Sequence, residues 1–244
     1  MKYFKVNFEF NKDKFENIIW ETSKEGKGYV CFVDLTSLSN AYKNDSFRNI
    51  LNNSFVNSCD GSYIALMASK LHKANFKAYI GPDYFEKMVK KPVKQMMIGG
   101  DEEVFKLIIK RARLNNPNVD FKHIELPFKD VNNFDYSSIS KEINDFSPRL
   151  IWVSLGAPKQ EIFMSKLLPF IHKGILIGVG AAFNYYTGQV KEIPSWARKT
   201  NLIWLYRIFT EPKKQIKRFK QIIKVLPKIY FEEKTYINNA NTQK

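Results

Sequence analysis

The chain of 244 residues carries 39 Lys/Arg against 24 Asp/Glu, a net charge of +15, and is 44% apolar with 20 Phe and 12 Tyr. This is material for one large domain, or one domain with a small appendage, and excludes a disordered chain or a repeat array. Cys31 and Cys59 lack CxxC spacing and are too few for a disulfide framework, which fits a reducing cytoplasm. The start, "MKYFKVNFEFNKDK", is charged throughout and does not read as a signal peptide. The longest apolar stretch, "LLPFIHKGILIGVGAAF", is interrupted by His172 and Lys173 and falls short of the ~20 residues that span a bilayer.

In chain order, "GYVCFVD" (28–34) reads as a buried strand and residues 36–54 as a helix with Leu38, Ala41, Phe47, Ile50 and Leu51 on one face. Residues 56–63, "VNSCDGSY", read as a polar turn opening a helix over 63–74. Strands are expected at 77–81 and 93–100, with a short helix around 83–90 between them. The helix at 101–114 has acids at its start and bases at its end, which suits the macrodipole. Then come a strand (118–126), a helix (137–146), a strand (149–155), a helix opened by Pro158 (158–169) and a strand (174–180).

Alternating strands and helices of this length predict an α/β fold, a Rossmann-like, largely parallel sheet flanked by helices over residues 1–193. Ligands of such sheets bind beyond the carboxyl ends of the strands. That directs attention to Asp34, Asp60-Gly61, Gly81, Gly99-Gly100, residues 156–161 and residues 180–188.

From Pro194 to the end the chain becomes helical, basic and aromatic, and residues 191–244 hold 13 Lys/Arg against 4 Asp/Glu, which is +9 of the total +15. Thr210 can cap a helix with Glu211 and Pro212 in its first turn, and Ile216, Phe219, Ile223 and Leu226 form an apolar stripe beside Lys213, Lys214, Lys217, Arg218, Lys220 and Lys224. Such a helix docks on its own domain, lies on an anionic membrane or binds nucleic acid. Flanking cations and the nearby aromatics Trp196, Trp204, Tyr206, Tyr230 and Phe231 favour the membrane interface. No recognised nucleic-acid motif is present. An exposed stripe also permits self-association.

Four stretches offer chemistry, each with a plain structural alternative. Asp60 is either an N-cap or a general base aimed into a cleft. The glycines of "MIGGDEEV" expose amides that can meet a phosphate, or make an ordinary tight turn; Asp101, Glu102 and Glu103 disfavour an anion. Lys159 and Gln160 of "GAPKQE" can offer donors to a sugar or phosphate, or lie on a solvated helix start. "GVGAAFNYYTG" is a crossover loop or a pocket wall formed by Asn184, Tyr185 and Tyr186. His72, His123 and His172 lack metal-ligand spacing, and no GxSxG marks a serine nucleophile, so no metal and no cofactor are expected.

Taken in order and spacing, these stretches resemble the WecG/TagA/CpsF glycosyltransferase family. Asp60-Gly61 resembles its Pro-Asp-Gly, with Cys59 in place of proline, and Gly81-Pro-Asp83 its Gly-x-Asp. Gly156-Ala-Pro-Lys-Gln-Glu161 matches Gly-x-Pro-Lys-Gln-Glu in full, and Gly178-Val-Gly-Ala-Ala-Phe183 with Gly188 matches Gly-Val-Gly-Ala-x-Phe-Asp. Trp204-Leu-Tyr-Arg207 and Glu211-Pro212 complete a likeness running from about residue 28 to 228.

The resemblance implies inverting, metal-independent transfer of N-acetylmannosamine or a related sugar from a UDP-sugar to an undecaprenyl-diphosphate-linked sugar. Products would feed teichoic acid, capsule or exopolysaccharide. The protein would be cytoplasmic and peripheral on the inner face of the cell membrane, with residues 194–244 as a basic, membrane-facing appendage. Carried over by position, Asp60 is the candidate base and Gln160 the candidate donor-binding residue. Asp34, Gly61, Asp83, Gly99, Gly100, Lys159 and Asn184 are further substrate-binding candidates. Arg207, Lys213, Lys214 and Arg218 would neutralise the departing diphosphate if the appendage folds over the site. Asn184 stands where the family usually has Asp, Glu192-Ile193-Pro194 replaces Arg-Ala-Pro, and Ile203 replaces a Glu. Two rival readings are a basic nucleic-acid-binding α/β protein and a member of the family that binds UDP-sugar without catalysis.

Overall fold

The apolar runs of the sequence become the strands of one parallel sheet. The computed structural model describes residues 1–190, 194, 196–197, 203–210 and 212–242, with the side chains of 203–205, 207, 213, 214, 217 and 241 outside that description. A short antiparallel hairpin, β1 (Lys2–Tyr3) and β2 (Val6–Asn7), leads into α1 (Lys12–Thr22). The main sheet holds β3 (Lys27–Val33), β4 (Val56–Cys59), β5 (Lys94–Ile98), β6 (Asp120–Ile124), β7 (Leu150–Val153) and β8 (Gly174–Gly178). Its six strands lie in the order β4-β3-β8-β7-β5-β6, all parallel.

Side chains alternate between the two faces, as the period of a strand requires. On one face Tyr29, Cys31, Val33, Met96, Ile98, Ile151, Val153 and Leu176 meet α2 (Leu35–Lys43), α3 (Asp45–Asn53), α4 (Ser62–His72), α7 (Tyr136–Phe146) and α8 (Lys159–Leu167). On the other, Val30, Phe32, Met97, Trp152, Ile175 and Ile177 meet α1, α5 (Gly81–Met88), α6 (Glu102–Asn115) and α9 (Ala182–Tyr186). Buried on both faces, the central strands have no use for a polar side, which is why they read as unbroken apolar runs.

The neighbouring strands β5 and β7 send the chain opposite ways. From β5 the chain crosses by α6 to β6 on one face; from β7 it crosses by α8 to β8, in the opposite direction on the other face. The carboxyl ends of β5 and β7 therefore flank the kind of crevice where doubly wound sheets hold ligands. After α9 come α10 (Ile203–Thr210), α11 (Pro212–Ile223) and α12 (Leu226–Thr242). Among the described residues no helix is long and apolar enough to cross a membrane.

Several local expectations are corrected. The single helix over 36–54 is two, because Asn44 closes α2 through its N–H and caps α3 by accepting from the Phe47 N–H at 3.1 Å. Residues 56–59, read as a polar turn, are strand β4. Residues 77–80 are not a strand and Gly81 opens α5: this segment runs past β4 with a Tyr79 N–H to Cys59 O bond (3.0 Å), while the Ser58 hydroxyl takes the Tyr79 carbonyl (2.7 Å). The apolar stripe of α11 is not used for docking. Ile216 (53% exposed), Phe219 (59%) and Ile223 (49%) face outward, and Leu226 begins the next helix instead.

Candidate active site at the carboxyl edge

The register sets which residues share the edge. Ile98, Val153, Gly178 and Cys31 form one row across four strands. Val33 pairs with Cys59, so Asp34 and Asp60 follow side by side on β3 and β4. Their backbones are joined there: the Asp60 N–H donates to Val33 O at 3.0 Å.

The two aspartates have different local duties. Asp34 is an N-cap, its carboxylate accepting from the Ser37 N–H at 2.7 Å at the start of α2. Asp60 is not a cap; Gly61 holds that position for α4, without a side-chain cap bond. Asp60 thus stands at the strand end, one position before the residue that caps α4.

Gly99 and Gly100 follow β5 with φ of 84° and 74°, a region that side chains with a Cβ rarely adopt. A Cβ on Gly99 would come within 2.8 Å of the Ser154 carbonyl oxygen, so glycine lets the two walls of the crevice approach. His123 lies beneath, stacked on Phe105 with ring centroids 4.6 Å apart and reaching the Gly99 carbonyl from Nε2 at 3.3 Å. Asp101 caps α6 by accepting from Val104 N–H at 2.8 Å.

After β7, residues 154–158 turn into α8. Ser154, which sequence reasoning missed, donates its hydroxyl to Gly180 O at 2.7 Å. Gln160 does not face open solvent; it is 4% exposed, and its Oε1 accepts the Gly180 N–H at 3.0 Å while its Nε2 donates to Glu161 Oε1 at 2.9 Å. Glu161 is 1% exposed, and among the described residues its Oε2 has no hydrogen-bond partner. Burial, with a further push from the nearby Asp34 carboxylate, raises the Glu161 carboxyl to about 7, against the pull of the Gln160 bond. Lys159 turns elsewhere: its Nζ donates to Lys129 O at 2.6 Å and lies 5.0 Å from the Phe134 ring centre.

The opposite flank is built from α5 and α9. A Cβ on Gly81 would sit 3.5 Å from Val179 Cα, which places the first turn of α5, with Asp83, against the end of β8. Asn184 lies in α9, where its carbonyl accepts from Val190 N–H at 3.1 Å and closes the turn containing Gly188. The edge thus gathers Asp34, Asp60, Gly61, Asp83, Gly99, Gly100 and Gln160. Arg218 lies partly buried on α11, and Arg207, Lys213 and Lys214 fall outside the described side chains. The segment carrying Glu192 also lies outside the described residues.

The C-terminal helices are attached to this body at defined points. Gln221 O of α11 accepts from Lys43 Nζ (3.0 Å) and Ser39 Oγ (3.3 Å) of α2. On α12, Glu233 is buried and accepts the Phe4 N–H at 2.7 Å, with His72 Nε2 of α4 at 2.8 Å from its other oxygen.

A parallel sheet wound both ways, with its acids and glycine turns at one carboxyl edge, belongs to the doubly wound α/β class, whose ligands bind at that edge. The glycosyl transferase WecG/TagA/CpsF family model matches residues 2–239. The chain belongs to that family and is a glycosyltransferase. It is similar to the N-acetylglucosaminyldiphosphoundecaprenol N-acetyl-beta-D-mannosaminyltransferase of Bacillus subtilis (strain 168), with 27% identity over 198 residues, 80% of this chain and 75% of the relative. The enzyme of the same name from Bacillus spizizenii is 24% identical over 176 residues, 70% of this chain and 67% of that one.

Proposed function

We propose that the chain transfers N-acetylmannosamine or a related sugar, with inversion and without a metal ion, from a UDP-sugar to an undecaprenyl-diphosphate-linked sugar. The reaction belongs to the synthesis of a cell-surface polysaccharide such as teichoic acid, capsule or exopolysaccharide. It takes place at the cytoplasmic face of the membrane, where residues 194–244 act as a basic appendage. The names of the two Bacillus relatives support the acceptor. Family membership displaces the nucleic-acid-binding alternative.

One observation carries the reading of the base: Asp60 follows β4 directly at the carboxyl edge, beside Asp34 at the end of β3. In this mechanism the acceptor hydroxyl attacks the anomeric carbon of the donor from the face opposite the diphosphate. Asp60 takes the hydroxyl proton as the new C–O bond forms, and the bond from the anomeric carbon to the diphosphate oxygen breaks, releasing UDP. The leaving diphosphate gathers negative charge, which the Gly100 backbone amide and the cations Arg207, Lys213, Lys214 and Arg218 of α10 and α11 would neutralise. Asp34, Asp83 and Asn184 supply acceptors for sugar or ribose hydroxyls, Gly61 leaves room beside the base, and Gln160 supports the donor side through Gly180.

UDP release from a panel of UDP-sugars, with a lipid-diphosphate N-acetylglucosamine acceptor, tests the reading. Asp60→Asn is expected to lower turnover by about a thousandfold, within the range of general-base effects, while UDP binding stays near that of the wild type. Full turnover by that variant removes Asp60 from the mechanism. UDP binding without turnover on any acceptor would instead mark a non-catalytic member of the family.

A further inference from the structure

Within "GAPKQE", Glu161 has no duty in the mechanism above, yet it is among the least exposed charged residues of the chain. It projects from the first turn of α8 toward the end of β3, where Cys31 and Asp34 are the titratable groups that face it. The Cys31 thiol is itself pushed up, by burial and then by Glu161, and offers no positive charge. A carboxyl group in such a place is costly, and a core methionine or leucine of similar size would avoid the cost. What Glu161 does there is visible in its bond to Gln160. Its Oε1 accepts from Gln160 Nε2 at 2.9 Å, which fixes the carboxamide the other way round at its far end, with Oε1 toward Gly180.

The consequence falls on the turn after β8. The Gly180 peptide groups are held from two sides, the N–H by Gln160 Oε1 (3.0 Å) and the carbonyl by Ser154 Oγ (2.7 Å). Gly178 lets this happen: a Cβ there would lie 3.1 Å from Gln160 Nε2 and 2.8 Å from Met164 Cε. With the carboxamide flipped, an N–H would face the Gly180 N–H and the bond would be lost. We infer that Glu161 is a positioning residue: by fixing the orientation of the Gln160 carboxamide it holds the 178–180 turn in the shape that receives the nucleotide-sugar donor. This rests on the donor reading of the preceding section.

The test compares wild type, Glu161→Gln and Glu161→Met, together with Gln160→Ala. Two quantities are read: hydrogen exchange at the Gly180 amide, and the KM for UDP-sugar against kcat and against the KM for lipid acceptor. Glu161→Gln keeps an oxygen able to accept from Gln160, so Gly180 exchange and donor KM should stay within about threefold of wild type. Glu161→Met, which keeps the volume but not the acceptor, should speed Gly180 exchange and raise donor KM by about tenfold each, the usual scale for one buried bond, with acceptor KM unchanged. Gln160→Ala should match it. Unaltered Gly180 exchange and donor KM in a folded Glu161→Met protein overturn the inference, as does equal damage from Glu161→Gln. If Glu161→Met fails to fold, Gln160→Ala decides alone, since wild-type Gly180 exchange in that variant leaves nothing for Glu161 to position. Wild-type protein that neither binds UDP nor releases it would overturn the donor reading first, and would do so with Gly180 still protected.

Discussion

A carboxyl group as enclosed as Glu161 resists ionisation. In an unfolded chain it titrates near 4.5; in the fold it is pushed up to about 7, first by burial and then by Asp34. A raised carboxyl favours the folded state while protonated. That stabilisation is complete below the unfolded value and is lost as pH rises through the folded one. The difference corresponds to roughly 3 kcal/mol of stability, lost between about pH 4.5 and pH 7. Glu161→Gln, which cannot ionise, should therefore gain on the wild type by roughly 2–3 kcal/mol when denaturant midpoints at about pH 8 are compared with those at about pH 5. A gap independent of pH would mean that Glu161 ionises without penalty, through a partner absent from its surroundings here. At this scale the sequence was informative about type and not about duty. Asp34 and Asp60 each follow a strand, and no pattern separates the cap from the candidate base. The difference lies in whether the helix starts at the next residue or one later. Gln160 read as a solvent-facing donor because Lys159, Gln160 and Glu161 are consecutive polar residues. Helical spacing sends Lys159 to the β6–α7 connection and its two neighbours inward.

Among the elements, those made of long apolar runs were legible: β3, β5, β7 and β8 all fall where continuous Val, Ile, Leu, Met and aromatic residues predicted them. β4 was hidden because two of its four residues are polar yet buried. Asn57 donates to Asn7 O (2.9 Å) and Leu51 O (2.8 Å) and accepts from Ser54 Oγ (2.7 Å), while Ser58 is consumed by Tyr79 O. Asn7 and Tyr79 are distant in sequence, and a local pattern does not show that Leu51 and Ser54 fold back onto Asn57. The N-terminal hairpin was equally opaque. Its turn places Phe4 and Lys5 at φ of 51° and 62°, where glycine or asparagine would have announced it. What sustains that turn is Glu233 on α12, more than two hundred positions away, which binds the Phe4 N–H and meets His72. Glu233→Ala leaves a buried N–H without an acceptor and unfastens α12 from both the hairpin and α4. The expected cost is about 2–3 kcal/mol, with faster hydrogen exchange across residues 226–242 and at Phe4; Glu233→Gln, which can still accept from Phe4, should lose about 1 kcal/mol. Equal losses from both variants would mean that the carboxylate charge matters more than the backbone bond.

For the whole molecule, the uneven charge and the docking of the C-terminal helices have to be taken together. The basic segment is fastened at Gln221 and Glu233, and Ile229 is buried in the main core. Removing everything after about residue 195 would thus strip a core side chain and orphan the Phe4 N–H, and a loss of activity in that truncation would confuse unfolding with lost membrane contact. The outward stripe of α11 offers a cleaner lever. Ile216, Phe219 and Ile223 are each about half exposed and none belongs to the buried core, and Lys220 and Lys224 beside them are exposed. On an anionic bilayer the three apolar side chains would leave water, each contributing up to about 1.5–3 kcal/mol if fully buried. Each neighbouring cation would add about 1 kcal/mol. Replacing Ile216, Phe219 and Ile223 together by serine should weaken flotation with anionic vesicles by about a hundredfold or more. Thermal stability should hardly move, because exposed substitutions away from special features cost within about 0.5 kcal/mol. Lys220→Glu with Lys224→Glu should weaken the same binding by about tenfold to a hundredfold, and added salt should narrow that gap, since the Debye length falls from about 10 Å at 0.1 M to about 3 Å at 1 M. Transfer to a lipid-anchored acceptor in vesicles should fall with both sets, while transfer to a short-chain, water-soluble acceptor should not. If the serine variant floats and turns over lipid acceptor like the wild type, α11 does not meet the membrane; if it also shifts from a dimer to a monomer, the stripe joins two copies of the chain.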